Sequence, residues 1–190
     1  MNTSPNYGML TARTATWSKT AAIPLPSQAA APALKQIRGG LELKLPPVAL
    51  GATAAALMWI ASSVSPAFDI SFPANSVSSG SLGLAGALTC LAGVISFRRA
   101  KTTVNPMKPD AASSLVVSGV YRYTRNPMYA GFLLILLGWA AFLSNALALI
   151  VLPAFVLYMN RFQILPEERA LTALFADEYT EYLARVRRWL

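Results

Sequence analysis

A chain of 190 residues that is 55% hydrophobic and only 13% charged is too poor in charge for an ordinary water-soluble domain, in which about a quarter of residues are charged. The net charge of +8 does not point to nucleic acid, because the basic residues flank apolar segments instead of clustering on a polar scaffold. The chain has no histidine and one cysteine, Cys90. This excludes Ser-His and Cys-His catalysis, an internal disulfide and a cysteine metal cluster, so no metal is expected.

Residues 1–40 are rich in Ala, Thr, Ser and Pro and carry Arg13, Lys19, Lys35 and Arg38 without an acid. They read as a disordered basic tail. An organelle transit peptide or a start at Met9 are the alternatives, and no apolar stretch there is long enough for a secretory signal. Residues 41–190 read as one transmembrane domain. The first span is predicted over 46–64, with Pro46-Pro47 suited to a helix start. Its length of roughly 28 Å matches the hydrocarbon thickness of a bilayer. Residues 65–80 hold Pro66, Pro73, Asn75 and several serines and read as a loop.

The second span is predicted over 81–97 and ends in Arg98-Arg99-Ala100-Lys101. Gly83, Gly86 and Gly93 would let it approach a neighbouring helix closely, although Gly83 and Gly86 do not form a GxxxG motif. Cys90 lies within it and reads as a small apolar residue. A polar stretch with Pro106 and Pro109 follows. Spans over 128–143 and 146–164 then form a hairpin, broken only by Ser144-Asn145, with Pro153 expected to kink the second. From Pro166 onward Leu171, Leu174, Phe175, Tyr179, Tyr182 and Val186 recur at helical spacing and predict a cytoplasmic or interfacial helix. The fold class is therefore all-α, a bundle of about four transmembrane helices with a C-terminal helix outside the membrane.

The placement of charge supplies a topology. Residues 65–80 and 144–145 contain no Lys or Arg, and all 16 basic residues lie before the first span, within 98–125 or from Arg161 onward. An even number of spans puts those three regions on one side, the cytoplasmic side by the positive-inside rule. Both termini are then expected in the cytoplasm of a bacterial inner membrane, with the endoplasmic reticulum as the alternative.

Two polar clusters meet the membrane on that side. The run Ser118-Gly119-Val120-Tyr121-Arg122-Tyr123-Thr124-Arg125-Asn126-Pro127-Met128-Tyr129-Ala130-Gly131 reads either as an interfacial anchor of Tyr and Arg or as a ligand site. Asn-Pro there starts a helix whose free N–H groups suit an anion, and Gly131 allows close backbone approach. The second cluster is Pro166-Glu167-Glu168-Arg169, readable as helix-start chemistry or as carboxylates that hold a cation. Arg161, six residues before Glu167, could snorkel to the interface or pair with an acidic substrate group.

The run from Ser118 to Gly131, an apolar hairpin, Glu167-Glu168, and then Phe175-Ala176-Asp177-Glu178-Tyr179-Thr180-Glu181-Tyr182 together resemble the isoprenylcysteine carboxyl methyltransferase family. The wider membrane group that includes phospholipid N-methyltransferases shares the pattern. The resemblance covers residues 98–190; the first half matches only as generic spans. It implies S-adenosyl-L-methionine as cofactor, bound on the cytoplasmic side between the hairpin and the C-terminal segment. Carried over residue by residue, it implies cofactor contacts from Asn105, from Ser113, Ser114, Leu115 and Val116, and from Tyr121. It implies further contacts from Arg125, Asn126, Pro127, Met128 and Tyr129, and from Glu167 to the cofactor's amino group. Arg161 and Tyr121 are the catalytic candidates, Arg161 on the substrate side. The sequence departs from the eukaryotic enzymes at Asn126, where they carry histidine. Asparagine donates and accepts hydrogen bonds but does not titrate near neutrality.

Methyl transfer from a sulfonium asks mainly for alignment and exclusion of water. A carboxylate or thiolate acceptor needs no base, so a chain without histidine leans toward carboxyl O-methylation. The hairpin suggests a lipophilic or lipidated acceptor arriving through the bilayer. An NADPH-dependent reductase of the sterol-reductase type and a non-catalytic lipid-binding protein are the alternative readings.

Overall fold

The computed structural model describes residues 42–70, 76–102 and 112–189; the basic tail expected over 1–40 lies outside them. Among the described residues there is no strand, and the chain is helical throughout its apolar segments. Helix α1 (Pro47–Val64) starts with proline in its first turn, where the missing N–H has no intrahelical partner to lose. A short 3₁₀ turn (Pro66–Phe68) follows, and then α2 (Ser76–Arg99), α3 (Pro127–Leu143) and α4 (Ala146–Tyr158). A π-helical stretch (Met159–Ile164) joins α4 to α5 (Leu165–Arg185), and a second 3₁₀ turn (Gly119–Arg122) precedes α3. Three helices are long and apolar enough to cross a membrane and α3 is a shorter apolar helix, so the chain folds as an all-α membrane bundle.

The packing inverts the habit of a water-soluble protein. On α2 the large side chains Val77, Leu84, Leu88, Leu91 and Ile95 are exposed, whereas Ser79, Gly86, Gly93 and Ser96 are buried. Inside a bilayer large apolar groups gain little from leaving lipid, so helices associate through small residues that let backbones approach. The seam with α3 runs through Ser79, Gly83, Gly86, Cys90 and Gly93, a 4-3-4-3 spacing that keeps one face toward the partner. Gly131 and Gly138 answer from α3. A Cβ on Gly138 would lie 2.7 Å from the Ser79 carbonyl, one on Gly131 2.6 Å from the Gly86 carbonyl, and one on Gly93 2.7 Å from Met128. The close approach expected of α2 is therefore made, and it explains a difference. Residues 76–80, read as loop, are helical because Ser79 and Gly83 form the end of this seam against Gly138.

On its other side α3 packs against α1 and α4. Met58, Leu136, Ala140, Ala148, Phe155 and Met159 share this core. The end of the bundle without basic residues is closed by Asn145, which is fully buried. Its Oδ1 accepts from the Leu147 and Ala148 N–H groups at 3.0 and 3.4 Å, capping α4, and its Nδ2 donates to the Ser65 carbonyl at 3.1 Å and Asp69 Oδ1 at 2.9 Å. The turn between α3 and α4 thereby holds the turn after α1.

The opposite end gathers the charged residues. Helix α4 continues through Pro153, and the π stretch begins six residues later. Pro166 lies in the first turn of α5 and cannot donate to the carbonyl four residues back, Phe162. That carbonyl accepts instead from the Leu43 N–H at 3.0 Å. Around this bond Gln163 Nε2 donates to the Leu45 carbonyl at 2.6 Å, and the buried Glu42 carboxylate accepts from Arg161 and Arg169, each at 2.6 Å. The segment before α1 is thus fastened to the π stretch. Helix α5 breaks at Ala176 (φ 40°, ψ −114°), a left-handed conformation strained for a residue with a Cβ. The apolar positions expected to make α5 amphipathic face protein: Phe175, Tyr179 and Tyr182 bury against Leu115, flanked by Val117, Leu171, Leu174 and Val186.

Candidate active site at the charged end of the bundle

Pro127 fixes the start of α3, which places Tyr129 within its first turn, facing inward and 4% exposed. Its hydroxyl donates to Glu167 Oε1 across the interface between α3 and α5. Glu167 and Glu168, adjacent in sequence, have different partners. Glu168 accepts from Arg188 at 2.6 and 3.1 Å and lies 3.3 Å from Arg125 Nη2. Among the described residues no arginine or lysine pairs with Glu167. Burial pushes the Glu167 carboxyl up to about 8; the charge of Glu168 adds to this, and the Tyr129 hydrogen bond opposes it. A half-buried carboxylate with a tyrosine donor and no cationic partner among the described residues is a receptor for a positive charge, because a cation beside it would restore its ionised form.

Besides Tyr129, two tyrosines, Tyr121 and Tyr179, lie close enough to feel that carboxylate's charge, and Tyr182 adjoins both. Tyr121 is buried, meets Phe97 edge-on with ring centroids 5.3 Å apart, and its carbonyl accepts from the Tyr182 hydroxyl at 2.7 Å. Burial pushes the phenols of Tyr121, Tyr179 and Tyr182 up, and the charge of Glu167 adds to this for Tyr121 and Tyr179. They are therefore neutral hydrogen-bonding and π surfaces, not bases. Faces of neutral aromatics with one carboxylate make a setting that favours an onium ion. Arg125, whose side chain is 13% exposed, leaves its buried Nε without a hydrogen-bond partner among the described residues. This is a donor available to a polar ligand.

Asn126 sits where a side chain ordinarily caps the following helix, yet it makes no cap. Its Nδ2 donates to the Arg188 carbonyl at 2.9 Å, joined by Thr124 Oγ1 at 3.3 Å, and the Arg125 N–H donates to the Arg187 carbonyl at 3.0 Å. The chain after α5 therefore lies alongside residues 124–126. Pro127 and Met128 pack toward Gly93 of α2. Ser113 and Ser114 bond back to the end of α2: the Ser113 N–H donates to Thr102 Oγ1 at 3.0 Å, and Ser114 Oγ to the Ala100 carbonyl at 3.2 Å. Leu115 and Val116 are buried, Leu115 against Tyr179 and Tyr182. Arg161 is engaged elsewhere, with Glu42 and over the Phe162 ring at 5.4 Å. Asn105 lies outside the described residues.

The structure thus gathers Tyr121, Arg125, Tyr129 and Glu167 with Tyr179 and Tyr182, and it adds residues that sequence reading passed over. Glu168 was read with Glu167 as an undivided pair, without its arginine partners, and Arg188 and Trp189 were unremarked. Their partners lie 20–64 residues away, beyond any local pattern.

Comparison with known proteins supplies the family. The phospholipid methyltransferase family matches residues 76–178, reaching further upstream than the motifs do, to the start of α2. A probable protein-S-isoprenylcysteine O-methyltransferase of Oryza sativa subsp. indica is 35% identical over 100 residues, 51% of this chain and 51% of the relative. Protein-S-isoprenylcysteine O-methyltransferase B of Arabidopsis thaliana is 33% identical over 96 residues, 49% of this chain and 47% of the relative. The chain thus spans about half the length of these relatives. An uncharacterized protein of Haemophilus influenzae is 49% identical over 63 residues, 33% of this chain and all of the relative. No solved structure matches. With the family match covering more than half of the chain and an all-α membrane bundle carrying the site, the chain belongs to the phospholipid methyltransferase family.

Proposed function

We propose that this protein is an S-adenosylmethionine-dependent methyltransferase acting on a lipophilic acceptor, carboxyl O-methylation being the favoured reaction. The observation that carries the proposal is the division of the acidic pair. Glu168 is neutralised by Arg125 and Arg188, and among the described residues Glu167 is left with the Tyr129 hydroxyl, close to the tyrosines Tyr121 and Tyr179. The residues fit the cofactor's chemistry. Glu167 would hold its ammonium, the tyrosine faces its sulfonium, and the free Arg125 Nε a carboxylate or other acceptor atom. When bound, S-adenosylmethionine supplies a methyl group on a sulfonium that leaves as a neutral thioether. The protein's tasks are then to hold the positive charge, to align the acceptor and to keep water out. Glu167, Tyr129 and the buried tyrosines suit the first and the last. Nothing in the tyrosine set acts as a base, which favours an acceptor that arrives already ionised.

The basic end of the bundle is taken as cytoplasmic on charge placement, with the acceptor's apolar part in the bilayer beside the exposed faces of α1 and α2. Calorimetric titration of the detergent-solubilised full chain with S-adenosylmethionine, and separately with NADPH, tests the proposal. Binding of the first, lost in Glu167→Ala, is the expected result. Binding of NADPH alone, or of neither, would overturn it. Radiolabelled methyl transfer into a native lipid and membrane-protein extract then identifies the acceptor, and label appearing only in water-soluble products would remove the lipophilic assignment.

A further inference from the structure

The chain leaves α5 through an extended Val186, and the segment Val186–Trp189 is anchored at several points. Arg187 forms a bridge with Thr124. The Arg188 carbonyl accepts from both Thr124 Oγ1 and Asn126 Nδ2. The Arg188 guanidinium grips both oxygens of Glu168. The Trp189 indole N–H donates to Asn160 Oδ1 at 3.1 Å, and the ring packs against the main core. Asn160 belongs to the π stretch, where widened turns often carry functional residues.

The two ends of the Arg188 anchorage flank the candidate site. Asn126 lies three residues before Tyr129, and Glu168 lies next to Glu167, so Arg188 ties together the walls that bear the Tyr129–Glu167 pair. We propose that Val186–Trp189 is a strap that retains the bound cofactor and that Asn126, helped by Thr124, is its latch. Asn126 is then a positioning residue acting through Arg188. The inference rests on the cofactor reading above. It gives the asparagine a task that needs one N–H donor and no titration: it holds a backbone carbonyl. An imidazole N–H at position 126 could make the same bond.

The test uses the full chain in detergent and two readouts. One is the rate of tryptic cleavage after Arg185, Arg187 and Arg188, followed by mass spectrometry in the absence of ligand. The other is the dissociation rate of radiolabelled S-adenosylmethionine after a chase. Asn126→Ala should raise both rates about five- to tenfold, the size expected for losing one side-chain hydrogen bond. Association should be unchanged, and Asn126→His should restore both. Cleavage at the wild-type rate in Asn126→Ala would overturn the latch. A loosened tail with unchanged dissociation would overturn the strap, and failure of the histidine variant to rescue would point to a direct contact instead. If the wild-type protein binds no S-adenosylmethionine, the cofactor reading falls and takes the strap's retaining role with it, while the cleavage rates still decide the latch.

Discussion

Glu167 and Glu168 differ by one position and by nearly everything that matters chemically. Glu168 meets two arginines, whereas among the described residues Glu167 meets one hydroxyl in a desolvated setting. The raised carboxyl gives a signed prediction. Folding takes up a proton between pH 4.5, where an ordinary glutamate titrates, and about 8, where Glu167 does. The stability contribution is therefore greatest at low pH and is lost as pH rises through that window. Chemical unfolding at several pH values should show this slope in the wild-type protein and lose it in Glu167→Gln. The same variant should bind S-adenosylmethionine at least about tenfold more weakly, the loss of a charge-assisted contact. Binding of this cation favours the ionised carboxylate, so wild-type affinity should rise with pH up to about 8 relative to the glutamine variant. A parallel pH profile in the two proteins would remove Glu167 from the binding site.

At the scale of helices, the α2–α3 seam depends on atoms that are missing. Gly131→Ala would set a methyl group 2.6 Å from the Gly86 carbonyl, a clash with backbone that cannot rotate away. It should cost about 1–3 kcal/mol, typical of overpacking. Gly51→Ala is the matched control. Nothing lies within 4 Å of its Cβ position, and alanine favours a helix, so its stability should be unchanged or slightly higher. Thermal melts of the two variants in one detergent make the comparison, and equal melts would mean that the seam does not carry the packing. The glycines of α2 were visible as small residues in the sequence. Their partners were not, because Gly131 looked like part of the ligand motif and Gly138 like an ordinary span residue.

The whole bundle is tied at both ends by side chains that reach between distant segments, and the two ties differ in strength. Asn145 is fully buried and makes four hydrogen bonds. Asn145→Ala should cost about 2 kcal/mol, the sum of a lost helix cap and stranded buried groups. Glu42 is buried, but the arginines it joins, Arg161 and Arg169, are 58% and 45% exposed. Water screens that pair, so Glu42→Ala should cost about 1 kcal/mol or less. Unfolding in mixed micelles measures both, and a larger loss at Glu42 than at Asn145 would reverse the assignment.

By itself the sequence determined the number and rough extent of the apolar segments, their hairpin, the gathering of charge at one end and the family. These rest on hydropathy, charge placement and a motif order, all properties of residues near one another in the chain. Only the tertiary structure decided that Asn126 faces the Arg188 carbonyl and not its own helix, that Arg161 pairs with Glu42, and that Glu168 takes both arginines and leaves Glu167 to a tyrosine. Those outcomes depend on contacts across 20–119 residues. A short polar side chain has several partners of equal chemistry within reach, and only the packed backbone fixes which of them lies within hydrogen-bond distance.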